Sequence, residues 1–246
     1  MTLKDNYLLP EWAAPSGVKA FVSTKPISPV GPPMGERNEP DFPARRKQWL
    51  SSWGEDLVQQ WGWKQQPCWA TQVHGINVVS ADSKYGVEAD AVWADQRSIP
   101  CTVLTADCLP VLFCNKSGTK VAASHAGWRG LCDGVLEATV KAMGESGEQL
   151  MAWMGPAISR RCFEVGPEVR EAFIKAAPEA EKAFVSGEGD RWLGDLYLIA
   201  RQRLNRLGIT DITGGGLCTV IEDELFHSYR RDGAASGRMV SAIWVE

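Results

Sequence analysis

Short apolar runs alternate with helix-like periodicities along the chain, and this pattern predicts a mixed α/β fold. Runs of β-branched, aromatic and other apolar residues predict the strands. They lie at residues 18–24, 68–72, 76–80, 91–94, 101–105, 111–114, 120–124, 151–154 and 239–245. Because the runs at 101–105, 111–114 and 120–124 follow one another closely, we expect three adjacent strands joined by tight loops.

Four segments carry the apolar spacing and the end signals of helices. They cover residues 44–53 with an extension to 61, 131–143, 167–177 and 195–207. Gly144 and Gly208 follow the second and fourth segments, where glycine commonly ends a helix. Pro167 suits the start of the third segment, because the N–H groups in the first turn of a helix have no partner within the helix. Asp195 suits the N-cap position of the fourth segment.

A cluster of prolines separates the first predicted helix from the strand before it. The prolines are Pro26, Pro29, Pro32, Pro33, Pro40 and Pro43. They predict a loop over residues 28–43. Because the chain shows no internal repeat, low-complexity tract or linker, we expect residues 1–246 to form one α/β domain.

Composition and charge exclude several classes of protein. The 246 residues include 26 Lys+Arg and 30 Asp+Glu, a formal charge of −4. They lack the basic clusters that bind nucleic acid or an anionic membrane surface. No apolar stretch reaches the ~20 residues of a membrane helix, and the first residues lack the apolar core of a signal peptide. The seven cysteines contain no CxxC pair, which favours reduced thiols and a cytoplasmic location.

The chain has only three histidines, His74, His125 and His227, so few sites for imidazole chemistry exist. His74, Cys108 and His125 each lie near the end of a predicted strand, in TQVHG, TADCLP and SHAGWRG. If folding brings the three together, they resemble a catalytic zinc site with an open fourth position, and the same donors suit a single copper ion. The structural alternative makes Cys108 a small buried apolar residue and bonds both histidines to backbone.

A third interpretation pairs Cys108 as a nucleophile with His125 as its base, oriented by Asp107 or Asn77. This pairing competes with metal binding for the same thiolate. The sequence alone leaves the metal site, the nucleophile pair and the structural alternative open.

Several charged residues are candidates for anion binding or proton transfer. Arg129 lies in the two-glycine turn of HAGWRG at a predicted helix start, where backbone N–H groups favour an anion. Glu164 is a candidate acid or base, and Arg230 and Arg231 are candidate anion ligands. The structural alternatives are surface ion pairs and a solvated glutamate. His227 is expected to be structural or exposed.

Five ordered motifs resemble the YfiH family, also described as the polyphenol oxidase (laccase) domain or peptidoglycan editing factor family. They are TQVHG, TADCLPVLF, HAGWRGL, GPAIS with CFEVG, and SYRRD, and the resemblance covers about residues 66–246. It implies one domain of stacked mixed β-sheets flanked by helices. It also implies one metal ion, usually zinc, held by the residues that match the family's ligands, His74, Cys108 and His125.

Members of this family are described as purine nucleoside phosphorylases that also deaminate adenosine. They convert adenosine, inosine and methylthioadenosine to a free base and a sugar 1-phosphate. The resemblance thus implies a small-molecule nucleoside substrate and phosphate as co-substrate. Arg129, together with Arg230 or Arg231, would hold the phosphate, and Glu164 or Asp107 would serve deamination.

Three alternatives remain beside the phosphorylase. The family's older description is copper-dependent oxidation of phenols. Three histidines are too few for a multicopper cluster, although one copper on two histidines and a cysteine is compatible with weak oxidase activity. The others are a cysteine-type hydrolase acting on a peptidoglycan precursor and a non-catalytic editing partner.

The N-terminal part departs from the family pattern. Where the family resembles TTR-x-GG-x-S followed by S-x-NLG, this chain has STKPIS and then prolines. Lys25 replaces the arginine, which keeps the charge but loses the bidentate fork. We therefore regard residues 1–65 as divergent and retain Lys25 as a candidate substrate ligand.

Overall fold

Strands from both ends of the chain build the first sheet. The computed structural model describes residues 2–28 and 39–246. The first sheet contains, in spatial order, β1 (Thr2–Lys4), β2 (Tyr7–Leu9), β3 (Val18–Ser23), β14 (Met239–Val245) and β6 (Cys101–Thr105). Every neighbouring pair is antiparallel. The last strand of the chain therefore lies between an N-terminal strand and one from mid-chain.

A second, mixed sheet is built from the middle of the chain. Its spatial order is β13 (Asp211–Gly214), β9 (Leu150–Met154), β7 (Leu109–Asn115), β8 (Val121–Ala126), β5 (Ala91–Ala94) and β4 (Val78–Ser80). The outer pairs β13–β9 and β4–β5 are parallel, and the inner pairs are antiparallel. A small antiparallel sheet contains β10 (Glu164–Val165), β12 (Trp192–Gly194) and β11 (Phe184–Ser186).

Helices cover the outer faces of the two large sheets. Within the described ranges the α-helices are α1 (Phe42–Trp61), α2 (Trp128–Asp133), α3 (Val135–Met143), α4 (Pro167–Ala176), α5 (Leu196–Arg206) and α6 (Tyr229–Asp232). Short 3-10 helices occupy Gly147–Gln149, Pro178–Ala183 and Gly233–Ala235. Across residues 2–28 and 39–246, no helix combines the length and apolarity that a membrane crossing requires.

Side-chain alternation along β7 explains how the second sheet packs on both faces. Leu109, Val111 and Phe113 belong to an apolar cluster shared with α3, α4 and α5. Leu112 and Cys114 point the other way and belong to the cluster between the two large sheets. A strand that is buried on both faces needs apolar residues at consecutive positions, and β7 has them.

The first sheet has the same double burial along β14. Met239 and Ile243 join the cluster between the sheets, whereas Val240, Ala242 and Trp244 pack toward α1. The fold therefore has four layers: α1, the five-stranded sheet, the six-stranded sheet, and the group of α3, α4 and α5.

The predicted fold class, a mixed α/β domain with stacked sheets and flanking helices, is confirmed. Strands predicted at 91–94, 101–105 and 239–245 have the observed bounds, and five others differ by one or two residues at an end. Asp195 is the predicted N-cap of α5, since its carboxylate accepts a hydrogen bond from the N–H of Leu198 at 2.9 Å.

The strand predicted at residues 68–72 is wrong. Trp69 has a φ of +45°, which interrupts an extended conformation. Within this segment only Thr71 forms a bridge, to Glu88. The predicted helix over residues 131–143 is two helices, because Gly134 has a φ of +108° and ends α2 before α3 begins.

Two further expectations need correction. The strand at 101–105 joins the five-stranded sheet with β14 rather than pairing with β7, so only β7 and β8 form the expected tight pair. The loop predicted over residues 28–43 falls largely on residues 29–38, which lie outside the described residues. It ends earlier than predicted, because α1 begins at Phe42 and takes Pro43 into its first turn.

Candidate metal centre

Strand register brings the three predicted ligands together. Pairing of β7 with β8 sets Pro110 opposite His125, so Cys108, just before β7, lies beside the end of β8. His74 reaches the same point from the loop before β4, with a φ of +63°. Its Nε2 is 3.7 Å from the Cys108 Sγ, and one ligand atom from each of the three residues lies within 4.8 Å of the others.

A fully buried carboxylate, that of Asp90, holds both histidines in place. It accepts hydrogen bonds from the backbone N–H groups of Val73, His74 and Gly75 at 3.2, 2.9 and 2.8 Å, which fixes the loop of His74. Its Oδ1 is 2.8 Å from the His125 Nδ1. Burial raises the pKa of Asp90, but these hydrogen bonds and the charge of His125 outweigh it and leave the pKa lowered. Asp90 therefore directs the other ring nitrogen of His125 toward the cluster.

Two glycines of the HAGWRG motif allow the segment to pack against the loop of His74. A Cβ on Gly127 would lie 2.6 Å from the His74 Cδ2 and 3.2 Å from the Cys108 Sγ. A Cβ on Gly130 would lie 2.6 Å from the Gly75 carbonyl oxygen. The sequence predicts that these glycines allow close approach to a ligand; the structure shows close approach to the ligand-bearing loop itself.

Charge interactions within the cluster favour a thiolate beside an imidazolium. Burial raises the pKa of Cys108, but the charge on His125 and hydrogen bonds from both histidines overcome it and lower this pKa to about 6. Burial lowers the pKa of His125, but the thiolate and Asp90 raise it to about 9. The cluster therefore stabilises the anionic sulfur that a metal ion or a nucleophilic role requires.

The donor set fits a single metal ion of the zinc type. Tetrahedral zinc with ~2.3 Å bonds to sulfur and ~2.1 Å bonds to nitrogen separates its donors by roughly 3.5 Å. The 3.7 Å between Cys108 Sγ and His74 Nε2 agrees with that spacing. The contact of His125 with Asp90 matches the carboxylate–histidine arrangement that surrounds protein zinc sites. His74, Cys108 and His125 could therefore hold a metal ion.

A second buried carboxylate, Asp107, connects the cluster to distant segments. It has a φ of +86°, and it directly precedes Cys108. Its Oδ1 accepts a hydrogen bond from the Thr219 hydroxyl and its Oδ2 one from the Arg230 backbone N–H, both at 2.6 Å. Its carbonyl accepts from the Ile158 N–H at 2.9 Å. Asp107 thus ties the position of Cys108 to three other parts of the chain.

The cluster forms one wall of a cavity of about 1170 Å³. Ligand pockets commonly measure ~300–1,000 Å³, so the cavity has room for a nucleoside and a phosphate together. Its aromatic lining consists of Phe42, Trp49, Tyr85, Trp128, Phe163 and Tyr229. Arg46, Arg230 and Arg238 also line it. Among residues 2–28 and 39–246, the lining contains one carboxylate, that of Asp107, which already accepts two hydrogen bonds, so this part of the cavity is suited to an anion.

Among the predicted anion ligands, Arg230 lines this cavity and Arg231 does not. The Arg230 guanidinium donates to the carbonyls of Cys162 and Glu164 at 3.1 and 3.2 Å. The Arg231 guanidinium donates to Asp232 and to backbone carbonyls of the same region. Those carbonyls belong to Thr219, Val220 and Phe226. The predicted anion-binding role of Arg231 stays a prediction, and its visible contacts are structural.

Three other predicted residues lie outside the cavity lining of the described chain. Arg129 places its guanidinium 4.4 Å from the ring centre of Trp128. Glu164 is exposed, and its backbone carbonyl rather than its carboxylate meets Arg230. Lys25 donates to the Asp223 carbonyl at 3.1 Å. Their proposed catalytic and substrate-binding roles stay predictions.

Sequence reasoning missed several residues that shape the site. The carboxylate that orients His125 is Asp90 rather than the expected Asp107 or Asn77. One signal was present, because Asp90 is a charged residue at the edge of the apolar run 91–94. Arg46 lies far from the motifs and Arg238 lies beyond the end of SYRRD, and the fold brings both to the cavity. His227 is buried, as expected for a structural histidine.

Comparison with known proteins places the chain in a family. The family model described as multi-copper polyphenol oxidoreductase laccase matches residues 51–246. The chain belongs to this family. The resemblance predicted from the five motifs is thereby confirmed, and the match includes all three residues of the cluster.

Close relatives of this family extend over almost the whole chain. A protein of Pseudomonas aeruginosa named purine nucleoside phosphorylase is 44% identical over 245 residues, covering 98% of both chains. Escherichia coli YfiH, also named purine nucleoside phosphorylase, is 44% identical and covers 97% of this chain and 98% of its own length. A crystal structure of a Neisseria meningitidis protein has 40% identity and a TM-score of 0.84, covering 98% of this chain and 100% of that one.

Proposed function

We propose that this protein is a purine nucleoside phosphorylase that uses a metal ion held by His74, Cys108 and His125. The observation that carries this proposal is 44% identity over nearly the full length with relatives that bear this name. The cluster of two imidazoles and a thiolate at the wall of a nucleoside-sized cavity supports it independently.

The proposed reaction transfers the sugar of a purine nucleoside to phosphate. A phosphate oxygen forms a bond to C1′ of the sugar while the bond from C1′ to the base nitrogen breaks. The base leaves with the electron pair of that bond and takes up a proton. The products are a free purine and a sugar 1-phosphate. Adenosine, inosine and methylthioadenosine are the proposed substrates.

The cavity offers separate surfaces for the two reactants. Aromatic rings such as Tyr85, Trp128 and Phe163 supply apolar faces on which a purine can stack. Arg230 and Arg238 supply positive charge on the lining for phosphate. Asp107 accepts a hydrogen bond from the backbone N–H of Arg230 and directly precedes Cys108. It therefore fixes the position of Arg230 relative to the cluster.

Zinc is the proposed metal, and copper is the alternative for the same donors. A bound zinc ion would supply a Lewis acid that polarises an oxygen ligand. The protein's own part is to keep Cys108 as a thiolate and to hold His125 through Asp90. We propose weak phenol oxidation only for a copper-loaded form, adenosine deamination as a side activity, and a cytoplasmic location.

A cysteine-type hydrolase is the second candidate, and one observation favours it. The pKa of Cys108 is lowered to about 6 against the opposing effect of burial, by its neighbours His125 and His74. A thiolate beside a histidine is the arrangement of cysteine hydrolases, and a peptidoglycan precursor is the substrate to test. A metal ion separates the two candidates. It would support the phosphorylase but inhibit the hydrolase, because it would bind the Cys108 thiolate that the hydrolase uses as nucleophile.

The decisive assay measures hypoxanthine released from inosine by purified protein of known metal content. Phosphorylase activity requires release that depends on phosphate and is accompanied by an equal amount of ribose 1-phosphate. We expect His125→Ala to abolish it, because the substitution removes one of the three ligands. His227→Asn is the matched histidine control, since His227 is buried outside the three-residue cluster and is not part of the cavity lining.

The same preparation separates the alternatives. Base release without phosphate, or release that persists in metal-free protein, contradicts the proposal. Hydrolysis that metal-free protein performs and a thiol alkylator abolishes would support the hydrolase. With adenosine as substrate, formation of inosine measures deamination directly. Oxidation of phenols after copper loading alone would mark that activity as a property of the substituted metal.

A further inference from the structure

Two thiols outside the metal cluster lie close enough to react with each other. The Sγ atoms of Cys162 and Cys218 are 3.8 Å apart although the residues are separated by 56 positions in sequence. The segments that carry them are already joined, because Ala157 pairs with Cys218 and the Thr219 N–H donates to the Ala157 carbonyl at 3.1 Å. A disulfide needs sulfurs at ~2.05 Å, so a modest approach of these side chains suffices.

The two thiols differ in accessibility, as a pair that reacts in sequence requires. Cys162 is half-buried and lies beside exposed Arg160 and Arg161, whereas Cys218 is buried. The Cys218 Sγ accepts a hydrogen bond from the Ser159 N–H at 3.5 Å. Burial raises the pKa of Cys218, but this hydrogen bond and others from nearby backbone and side-chain groups lower it. Burial and the neighbouring Cys218 raise the pKa of Cys162, so only a small fraction of this thiol is ionised. Accessibility therefore makes Cys162 the thiol that an external reagent reaches, and the stabilised thiolate of the pair, Cys218, lies behind it.

The remaining cysteines outside the metal cluster lack this combination. Cys68, Cys101, Cys114 and Cys132 are all buried. Burial raises the pKa of Cys68 to about 11 and that of Cys114 to about 12. Unlike the half-buried Cys162, these four thiols are closed to an external reagent, and the raised pKa values of Cys68 and Cys114 lower their thiolate fractions further.

We propose that Cys162 and Cys218 are a modification site that forms a reversible disulfide by exchange with a small anionic disulfide such as oxidised glutathione. The Cys162 thiolate attacks one sulfur of the reagent, forms a mixed disulfide and releases one small thiol. The Cys218 thiolate then attacks the Cys162 sulfur and releases the second. Two protein thiols are oxidised, the reagent is reduced by two electrons, and both thiol protons leave on the two small thiols.

The positive charge around Cys162 identifies the reagent as anionic. Arg160 and Arg161 are exposed on its N-terminal side, with Arg160 4.0 Å from the Asp195 carboxylate, and the guanidinium of Arg230 donates to its carbonyl at 3.1 Å. Oxidised glutathione carries carboxylates, whereas cystamine, a cationic disulfide, would be repelled. The rate of modification should therefore be higher with oxidised glutathione, and the difference should shrink at high salt.

The disulfide would act on the cavity through two contacts already described. Arg230 is held by the Cys162 carbonyl on one side and by Asp107 on the other. Thr219, which follows Cys218, donates its hydroxyl to the same Asp107. Any backbone movement that accompanies closure of the disulfide would therefore reach both groups that hold this cavity arginine. This consequence rests on the proposed phosphorylase function, whereas formation of the disulfide does not.

The experiment uses the metal-loaded protein, in which bound metal protects the Cys108 thiolate. The protein is incubated with oxidised glutathione and digested without reduction, and its peptides are identified by mass spectrometry. We expect a cross-linked pair of peptides containing Cys162 and Cys218 that disappears with dithiothreitol. In Cys218→Ser, Cys162 should remain as a stable glutathione adduct, and in Cys162→Ser, Cys218 should stay a free thiol.

Cys132→Ser is the matched control and should form the cross-link as the unmodified sequence does. Wild-type protein that accumulates the glutathione adduct at Cys162 with Cys218 unreacted overturns the proposal, as does protein in which neither thiol reacts. If Cys218→Ser does not fold, Cys162→Ser and the wild-type cross-link still decide the result. Where phosphorolysis is measurable, oxidation should change KM for phosphate by about threefold or more; in Cys162→Ser it should not.

Discussion

The two sides of the cavity are built in different ways. On the metal side, buried carboxylates and close-packed glycines fix every ligand, and Asp90 alone accepts four hydrogen bonds from the loop of His74 and from His125. The arginine side comprises Arg230 in the short helix α6 and Arg238 in the segment just before β14. Hydrogen bonds to buried carboxylates therefore hold the metal side, whereas the guanidinium groups of the two arginines donate to backbone carbonyls around them.

The largest effect should follow from removing the carboxylate that organises the metal side. Asp90→Ala leaves three backbone N–H groups and the His125 Nδ1 without their acceptor in a buried place. We expect the free energy of unfolding to fall by about 2–4 kcal/mol and metal affinity to fall ~10–100-fold. Denaturant titration and metal analysis measure the two effects.

Asp95→Ala is the control for this substitution, because Asp95 is an exposed aspartate. It should retain both the metal and the stability of the original protein. Normal metal affinity in a folded Asp90→Ala protein would mean that the cluster does not depend on its surrounding hydrogen bonds.

A smaller effect is expected from filling the space that a glycine leaves open. The added Cβ in Gly127→Ala would come within 2.6 Å of the His74 ring, so that ring must shift. We expect a stability loss of about 1–3 kcal/mol together with weaker metal binding. Gly17→Ala is the control, since a Cβ there meets nothing within 4 Å. Equal metal affinity in both variants would show that the close approach at Gly127 is unimportant.

The arginine side should respond in substrate binding rather than in metal content. Arg230→Ala removes a positive charge from the cavity lining, and we expect KM for phosphate to rise roughly tenfold, the effect of losing one charged hydrogen bond. Arg231→Ala should leave KM nearly unchanged and lower stability, because that guanidinium binds Asp232 and backbone carbonyls. Steady-state kinetics measures KM for both variants. A raised KM for phosphate in Arg231→Ala with an unchanged KM in Arg230→Ala would assign phosphate binding to Arg231 instead.

The smallest effect is expected at Glu164. Its carboxylate is exposed and its backbone carbonyl makes the contact with Arg230, so Glu164→Gln keeps that contact. We expect kcat and KM to change by less than about twofold, as for most surface substitutions. A large fall in kcat with unchanged stability would restore the role of acid or base predicted from the sequence.

Local signals predicted most strands and helix ends, because apolar periodicity and caps act over a few residues. They failed where a single backbone angle or a distant pairing decides the structure. Trp69 and Gly134 take positive φ values that break a predicted strand and a predicted helix. The strand at 101–105 pairs with β14, more than a hundred residues away in sequence, and no local pattern reports that choice.

The residues of the candidate site likewise fall into those that a local motif reveals and those that only the fold reveals. His74, Cys108 and His125 could be predicted because each carries chemistry and lies in a distinctive motif. Asp90 and Asp107 could not be assigned their roles, because a buried carboxylate is recognised by the donors around it. The separation of Arg230 from Arg231 likewise depends on a helical turn at α6 that points only one of them into the cavity.

The central claim is that one metal ion on His74, Cys108 and His125 supports phosphorolysis in this cavity. The most direct test measures hypoxanthine release from inosine with phosphate in the same sample before chelation, after chelation and after zinc is restored. We expect loss of at least ~99% of the rate on chelation, the scale of removing a Lewis acid, and recovery in proportion to bound zinc. Undiminished phosphorolysis by folded, metal-free protein would contradict it.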